Sequence, residues 1–156
     1  MTSDNERAAA LGRPVFGTVV FPARDFDAAV RAWSTVFGTG PTFSSSGTER
    51  ARGEADFAVF KTPEIEIGLT SLPWTSEPLL FLDTDDIESH RQALIATGAT
   101  ALGEIADGSL APLGTAPVTN GDPDSGIVDV PGSRLAVVEL ANGSKVGLRQ
   151  TLPSSW

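Results

Sequence analysis

The chain has 156 residues and a formal charge of −9 at neutral pH, from 20 acidic and 11 basic side chains. That balance repels phosphate backbones and anionic lipid, so nucleic acid and membrane surfaces are poor partners. The length fits one domain or two small halves, and 40% hydrophobic residues are enough for a core. Without cysteine there is no disulfide, thiolate nucleophile or cysteine zinc site. No long apolar run follows the acidic N-terminus, so we expect a cytoplasmic protein.

The first predicted elements are a tail over residues 1–13, a strand in "VFGTVVF" and a helix. The helix is indicated by one apolar stripe whose members recur at spacings of four, three and four. They are Phe26, Val30, Trp33 and Phe37. Asp25 or Asp27 is a natural N-cap, and Gly38 is a natural stop.

The stretch "AVFKTPEIEIGL" from Ala58 predicts a strand, a tight turn and a second strand. Strand alternation places Ile65, Ile67 and Leu69 under the helix. It leaves Glu66 and Gly68 on the opposite face of the sheet. We predict a βαβββ module over residues 14–72, with its second strand near Pro41 to Ser44, and a linker over residues 73–77.

A second strand and helix follow in "LLFL" and in the segment from Ile87, with Asp85 or Asp86 as N-cap and Gly98 as stop. The lone histidine, His90, is predicted to face solvent or the seam between helix and sheet. "AVVELANGSKVGL" from Ala136 predicts a closing hairpin. The second module therefore covers residues 78–150, with a Gly-, Pro- and Asp-rich insertion over 103–132 that we expect to be mostly loop, and a tail over 151–156.

The two modules repeat one pattern. Asp86 corresponds to Asp25 and Gly147 to Gly68, with the insertion lengthening the second copy. Since one helix covers only one face of each small sheet, pairing the two sheets would form a cup. The predicted fold is therefore α+β, with two βαβββ repeats whose sheets form a cup suited to a small molecule.

The phrases "ARDFDAAVRAWSTVFG", "LDTDDIESHRQALIATGA" and "NGSKVGLRQ" resemble the vicinal oxygen chelate superfamily. That superfamily includes glyoxalase I, bleomycin-resistance proteins, fosfomycin-resistance enzymes and extradiol dioxygenases. The resemblance covers roughly residues 14–150. It implies a glyoxalase/bleomycin-resistance-like fold but does not determine an activity.

The resemblance also implies where metal ligands would lie, on the first and last strands of each module. The corresponding positions here are Thr18, Gly68, Leu79 and Gly147. None supplies a carboxylate or an imidazole, so we expect no metal and no cofactor, as in a bleomycin-resistance-like branch.

Residues predicted to line the cup are mostly apolar, with a few charges. The ligand-binding candidates are Phe16, Thr18, Gly68, Trp74, Leu79, Phe81, Lys145, Gly147 and Arg149. Gly68 and Gly147 would either widen a pocket or relieve crowding. Trp74 would stack on a planar ligand or latch two halves or subunits together. Glu66 is a candidate catalytic base, with an ion pair to Lys145 as the simpler alternative.

The sequence thus predicts a metal-free protein that binds a hydrophobic or aromatic small molecule, such as an antibiotic or a biosynthetic intermediate. By resemblance we expect a homodimer. One alternative is a metal-independent isomerase, cyclase or lyase with Glu66 as base and Arg149 as anion anchor. Another is an interaction module that binds no small molecule. A metal-dependent glyoxalase- or dioxygenase-like enzyme is disfavoured by the missing ligands.

Overall fold

The computed structural model of the chain describes residues 15–45, 56–130 and 132–152. The predicted N-terminal tail and residues 153–156 lie outside these ranges. The described helices are α1 (Phe26–Phe37) and α2 (Ile87–Ala96). The strands are β1 (Val15–Pro22), β2 (Phe43–Ser45), β3 (Phe57–Lys61), β4 (Glu66–Thr70), β5 (Leu79–Asp83), β6 (Thr100–Glu104), β7 (Leu110–Pro112), β8 (Val128–Val130), β9 (Ser133–Glu139) and β10 (Lys145–Thr151).

The described residues form two compact units, the N-terminal unit (18–79) and the C-terminal unit (15–17 with 80–152). In the N-terminal unit the strand order is β2-β3-β4-β1. Strands β1 and β4 are parallel, while β4 pairs antiparallel with β3 and β3 with β2. Helix α1 connects β1 to β2, so this unit has the predicted βαβββ order.

The core of the N-terminal unit lies between α1 and one face of this sheet. The stripe on α1 contacts buried strand residues, among them Phe60, Ile67 and Leu69. Trp33 contributes to an aromatic cluster in which its ring centroid lies 4.9 Å from that of Phe21. Phe37 stacks on Phe60 with centroids 5.1 Å apart. Trp33 is therefore a core residue of this unit.

Ile65 departs from the predicted alternation. Strand β4 begins at Glu66, and Ile65 belongs to a tight turn in which its backbone N–H donates to the Thr62 hydroxyl. Its side chain is 42% exposed. The prediction that Ile65 packs under the helix was wrong, because the pleat that fixes side-chain direction starts only where strand pairing starts.

In the C-terminal unit the strand order is β5-β10-β9-β6-β7, and β8 also pairs with β9. Strands β5 and β10 are parallel, and β10 and β9 form an antiparallel hairpin. Helix α2 packs on one face of this sheet through Ile87, which contacts Ala136 and Leu148. The unit keeps the strand–helix–strand plan of the first, so the chain is α+β as predicted.

The predicted insertion at 103–132 contains more regular structure than a loop. It begins with the last residues of β6, and it includes β7 and β8, which pair with β6 and β9. Its segment "GDPDSG" is a turn in which the Asp122 carboxylate accepts hydrogen bonds from the backbone N–H groups of Asp124 and Ser125. These strands could not be foreseen locally, since three residues form a strand only beside a partner.

Candidate functional site

Each sheet carries a helix on one face, and we call the other face of each sheet its distal face. On the distal face of the N-terminal unit, strand pairing aligns four residues across β2, β3, β4 and β1. This apolar row consists of Phe43, Val59, Gly68 and Val20. Phe57 leans over the same row, since its ring carbon Cε2 lies 3.6 Å from where a Cβ of Gly68 would be.

The apolar side chains of this distal face remain partly accessible. Phe43 is 55% exposed, and Val20, Phe57 and Val59 are half-buried. Because solvent reaches these side chains, a flat apolar molecule lying on them would remove apolar area from water. Gly68 itself is buried, and a Cβ there would lie 3.2 Å from Cγ2 of Val20.

A polar row runs beside the apolar row. Glu66 lies in register with Lys61 on β3, and its backbone carbonyl accepts a hydrogen bond from the Thr18 hydroxyl at 3.3 Å. The register places the predicted base Glu66 beside a cation of its own sheet. Thr18 is 5% exposed, so its hydroxyl is used within the fold.

Three further predicted residues lie at or near the ends of strands. Phe16 is 44% exposed and lies two residues before Thr18, on the same side of β1. Trp74 is half-buried in the segment between β4 and β5. Leu79, the first residue of β5, is 4% exposed. The N-terminal unit therefore contains Thr18, Glu66, Gly68, Trp74 and Leu79, while Phe16 belongs to the C-terminal unit.

The distal face of the C-terminal unit carries Phe81, Lys145, Gly147 and Arg149. Gly147 lies in register with Phe81, and a Cβ at Gly147 would overlap the Phe81 ring, with Cγ at 2.8 Å. The ring of Phe81 thus occupies the volume that a side chain at 147 would take. Of the two readings of this glycine, the geometry favours relief of crowding over a widened pocket.

This distal face is also more enclosed than that of the N-terminal unit. Phe81, Leu102 and Val137, which share the face through the strand register, are each 3% exposed or less. Their enclosure leaves little apolar area for a ligand to cover. Across these two sets of paired strands, the more accessible apolar row is the one on the N-terminal unit.

An ion pair that sequence reasoning missed joins β5 and β10. Arg149 donates from Nε to Oδ1 of Asp83 at 2.7 Å and from Nη2 to Oδ2 at 3.2 Å. The two residues lie in register on parallel strands. The signal was present, since both face away from the helix, but the predicted strand "LLFL" stopped one residue before Asp83. A Cβ at Gly17 would lie 2.7 Å from Oδ1 of Asp83, so Gly17 leaves space for this carboxylate.

Lys145 is exposed and lies in register with Glu139 on β9. Lys145 and Glu66 thus each have an oppositely charged neighbour within their own sheet. Among the described residues, no three His, Asp or Glu side chains come close enough together to hold a metal ion. Within the same residues, neither helix has the length and apolar character needed to span a membrane.

No family model and no curated protein sequence matches the chain. Solved structures do match it. A hypothetical protein from Bacillus halodurans C-125 matches with 10% identity and a TM-score of 0.58, covering 92% of this chain and 98% of that one. Methylmalonyl-CoA epimerase from Streptomyces coelicolor matches with 14% identity and a TM-score of 0.55, covering 89% and 98%.

A glyoxalase/bleomycin resistance protein/dioxygenase superfamily member from Vibrio splendidus 12B01 matches with 14% identity and a TM-score of 0.50, covering 90% of this chain and 98% of that one. At these identities a match shows the fold and does not show an activity. The chain therefore has the fold of these structures, which is the glyoxalase/bleomycin-resistance-like fold that the resemblance implied.

Proposed function

We propose that this protein binds a flat hydrophobic or aromatic small molecule without the help of a metal ion, on the distal face of its N-terminal unit. The single observation that carries the proposal is the apolar row of Phe43, Val59, Gly68 and Val20, with Phe57 beside it. A continuous apolar surface with few polar groups at its edge suits an aromatic ligand.

The polar row supplies the edge of this surface. Thr18 is buried and its hydroxyl donates to the Glu66 backbone carbonyl, which leaves the charged side chains of Glu66 and Lys61 next to the apolar residues. A ligand lying on the apolar row would bring its margin to these groups. Polar contacts of this kind orient a ligand, while apolar burial supplies most of the affinity.

The metal-free part of the proposal is supported by residue chemistry. At the positions where the superfamily resemblance implies metal ligands, the chain has Thr18, Gly68, Leu79 and Gly147. The Thr18 hydroxyl donates within the fold, and Phe81 occupies the space beside Gly147. Neither a carboxylate nor an imidazole is available at these four positions to bind a transition metal.

A titration with Nile red, a neutral aromatic dye whose fluorescence rises in apolar surroundings, tests the surface. We expect the wild-type chain to bind the dye and Phe43→Ser to bind it about tenfold more weakly. Loss of the phenyl contact removes apolar burial of roughly 1.4 kcal/mol, which corresponds to that factor. Because Phe43 is 55% exposed, the substitution should leave the melting temperature almost unchanged.

Val36→Ser is the matched control, since Val36 is an apolar residue on α1 that is 71% exposed. It should leave dye binding unchanged. Equal affinities for the wild type, Phe43→Ser and Val36→Ser would contradict the proposed surface and favour an interaction module.

Native mass spectrometry on gently purified protein tests whether the protein retains an organic molecule or a metal ion. A dimer of the 16.2 kDa chain carrying an organic adduct supports the proposal, and a stoichiometric transition metal contradicts it.

A further inference from the structure

His90 is the one histidine of the sequence, and it has an unusual environment on α2. Its ring nitrogen Nδ1 is buried and has no hydrogen-bond partner among the described residues. Few buried polar atoms in folded proteins lack a partner, so each such atom needs an explanation. A neutral imidazole tolerates this position when Nδ1 is the nitrogen that carries no proton.

His90 lies on the side of α2 that packs against the sheet. It is three residues after Ile87 and four before Leu94, and both of these contact the core of the C-terminal unit. Helical spacing of three and four residues places all three side chains on one face. A change in the charge of His90 therefore affects the face of α2 that packs against the sheet.

The next residue, Arg91, connects α2 to the insertion. Its side chain is buried, and Nε donates to the backbone carbonyl of Ser125 at 3.0 Å. Ser125 belongs to the turn over residues 121–126. The Asp122 carboxylate stabilises this turn by accepting hydrogen bonds from the backbone N–H groups of Asp124 and Ser125. Helix α2 and this turn are thus tied together by one buried cation.

We propose that His90 makes the C-terminal unit sensitive to acid: a proton added at Nδ1 loosens α2 from its sheet and, through Arg91, frees the turn over residues 121–126. The protonated ring would carry a donor that has no acceptor, and it would place a positive charge in a partly buried position. Burying an unsatisfied donor or an unpaired charge opposes folding.

The charged groups around α2 do not offset that cost. On the helix side these are the N-cap residue Asp86, Glu88 and Arg91 of α2, Asp122 and Asp124 of the turn, Asp129 of β8 and Arg134 of β9. Arg134 already pairs with Glu88 at 3.2 Å and with Asp129 at 3.4 Å. Strand β10 presents the uncharged Gln150, which accepts from the Ile87 N–H. The charged residues Lys145 and Arg149 of β10 and Glu104 of β6 lie on the distal face.

The direction of the His90 pKa shift is the one that this proposal requires. Burial lowers the pKa of His90 below its usual 6.5. The unfolded chain therefore binds a proton that the folded chain resists. The stability that neutral His90 contributes is present above pH 6.5 and is lost as the pH falls from 6.5 through the pKa of the folded state. Asp122 does not interfere in this window, because backbone hydrogen bonds from Ser125 and Asp124 lower its pKa below 3.8.

Amide hydrogen exchange, read by mass spectrometry on the wild type and on His90→Gln at pH 7.5 and pH 5.0, tests the proposal. Comparing the two proteins at the same pH cancels the pH dependence of the exchange chemistry. At pH 7.5 we expect equal exchange over residues 87–96 and 119–127. At pH 5.0 we expect faster exchange in the wild type, by up to tenfold for each unit separating the two pKa values of His90.

Two further measurements keep the test decisive. The ring-proton NMR signal of the single histidine should titrate below pH 6.5, and His90→Asn replaces His90→Gln if the latter fails to fold. Arg91→Gln should speed exchange over 119–127 already at pH 7.5, while α2 keeps its acid response. A wild type that exchanges like its neutral variants at pH 5.0, or a histidine that titrates at or above pH 6.5, overturns the proposal.

Discussion

At the scale of single residues, glycines in the strands decide which side chains can occupy the distal faces. The Phe81 ring lies over Gly147, and a Cβ at Gly17 would crowd the Asp83 carboxylate. At Gly68 the approach is less close, since Val20 and Phe57 lie 3.2 and 3.6 Å from the position of its missing Cβ. Strand glycines are costly in backbone entropy, so positions of this kind indicate close approach by a neighbour.

Gly147→Ala is expected to destabilise the protein by about 1–3 kcal/mol, because the added methyl group must displace the Phe81 ring from a packed site. Urea denaturation would measure the change in the free energy of unfolding. An open pocket over Gly147 would give the opposite result, since alanine in a strand is otherwise favoured over glycine by roughly 0.5–1 kcal/mol.

Two comparisons isolate the cause of that change. Gly40→Ala should be close to neutral, because a Cβ there meets nothing within 4 Å. In a Phe81→Ala background the cost of Gly147→Ala should disappear, since the ring that it displaces is absent. If Gly147→Ala costs the same with and without Phe81, the ring is not the reason for the glycine.

At the scale of elements, both helices are delimited by local signals. The Asp25 carboxylate accepts from the Ala28 N–H at 3.0 Å, and α1 ends at Gly38 with a φ of 73°. The Asp86 carboxylate accepts from the Ser89 N–H in the same way, and Gly98 follows α2 with a φ of 104°. Capping chemistry of this kind depends on neighbours in sequence, so it can be read without a structure.

Asp25→Ala should destabilise the chain by about 1 kcal/mol, since it leaves the Ala28 N–H without its side-chain acceptor. Thermal unfolding followed by circular dichroism would measure this change. Asp25→Asn should retain most of the stability. Asp27→Ala is the matched control, because Asp27 is in the first turn and Asp25 holds the cap. A larger effect at Asp27 than at Asp25 would show that the helix dipole outweighs the cap.

Features that depend on long-range pairing were less accessible to the sequence. Local apolar spacing predicted α1, α2, β1, β3 and β10, because each carries its own periodicity. The strands β7 and β8 needed partners on β6 and β9, and the Arg91 contact with Ser125 spans 34 residues. The candidate site was predicted in part: Glu66 and Gly68 were assigned to the correct face, while Phe43, Val59 and Asp83 were missed because their neighbours depend on register.

At the scale of the whole molecule, charge is the dominant feature. The net charge of −9 belongs to a chain whose isoelectric point is near 4.4. Ion pairs such as Arg149–Asp83 and Arg134–Glu88 use some of the few cations. The excess of carboxylates repels itself in the folded state more than in the expanded chain, so it opposes folding at neutral pH.

Raising NaCl from 10 to 150 mM at pH 7.5 should therefore raise the melting temperature, by about 3 °C for a gain of roughly 1 kcal/mol. The Debye length falls over this range from about 30 Å to about 8 Å, which screens repulsion across the molecule more than contacts at 3 Å. Scanning calorimetry would measure the shift, and choline chloride should act as sodium chloride does if screening is the cause. Near pH 4.4, where the net charge approaches zero, the same salt should have little effect. A melting temperature that falls with salt at pH 7.5 would mean that ion pairs such as Arg149–Asp83 outweigh the net repulsion.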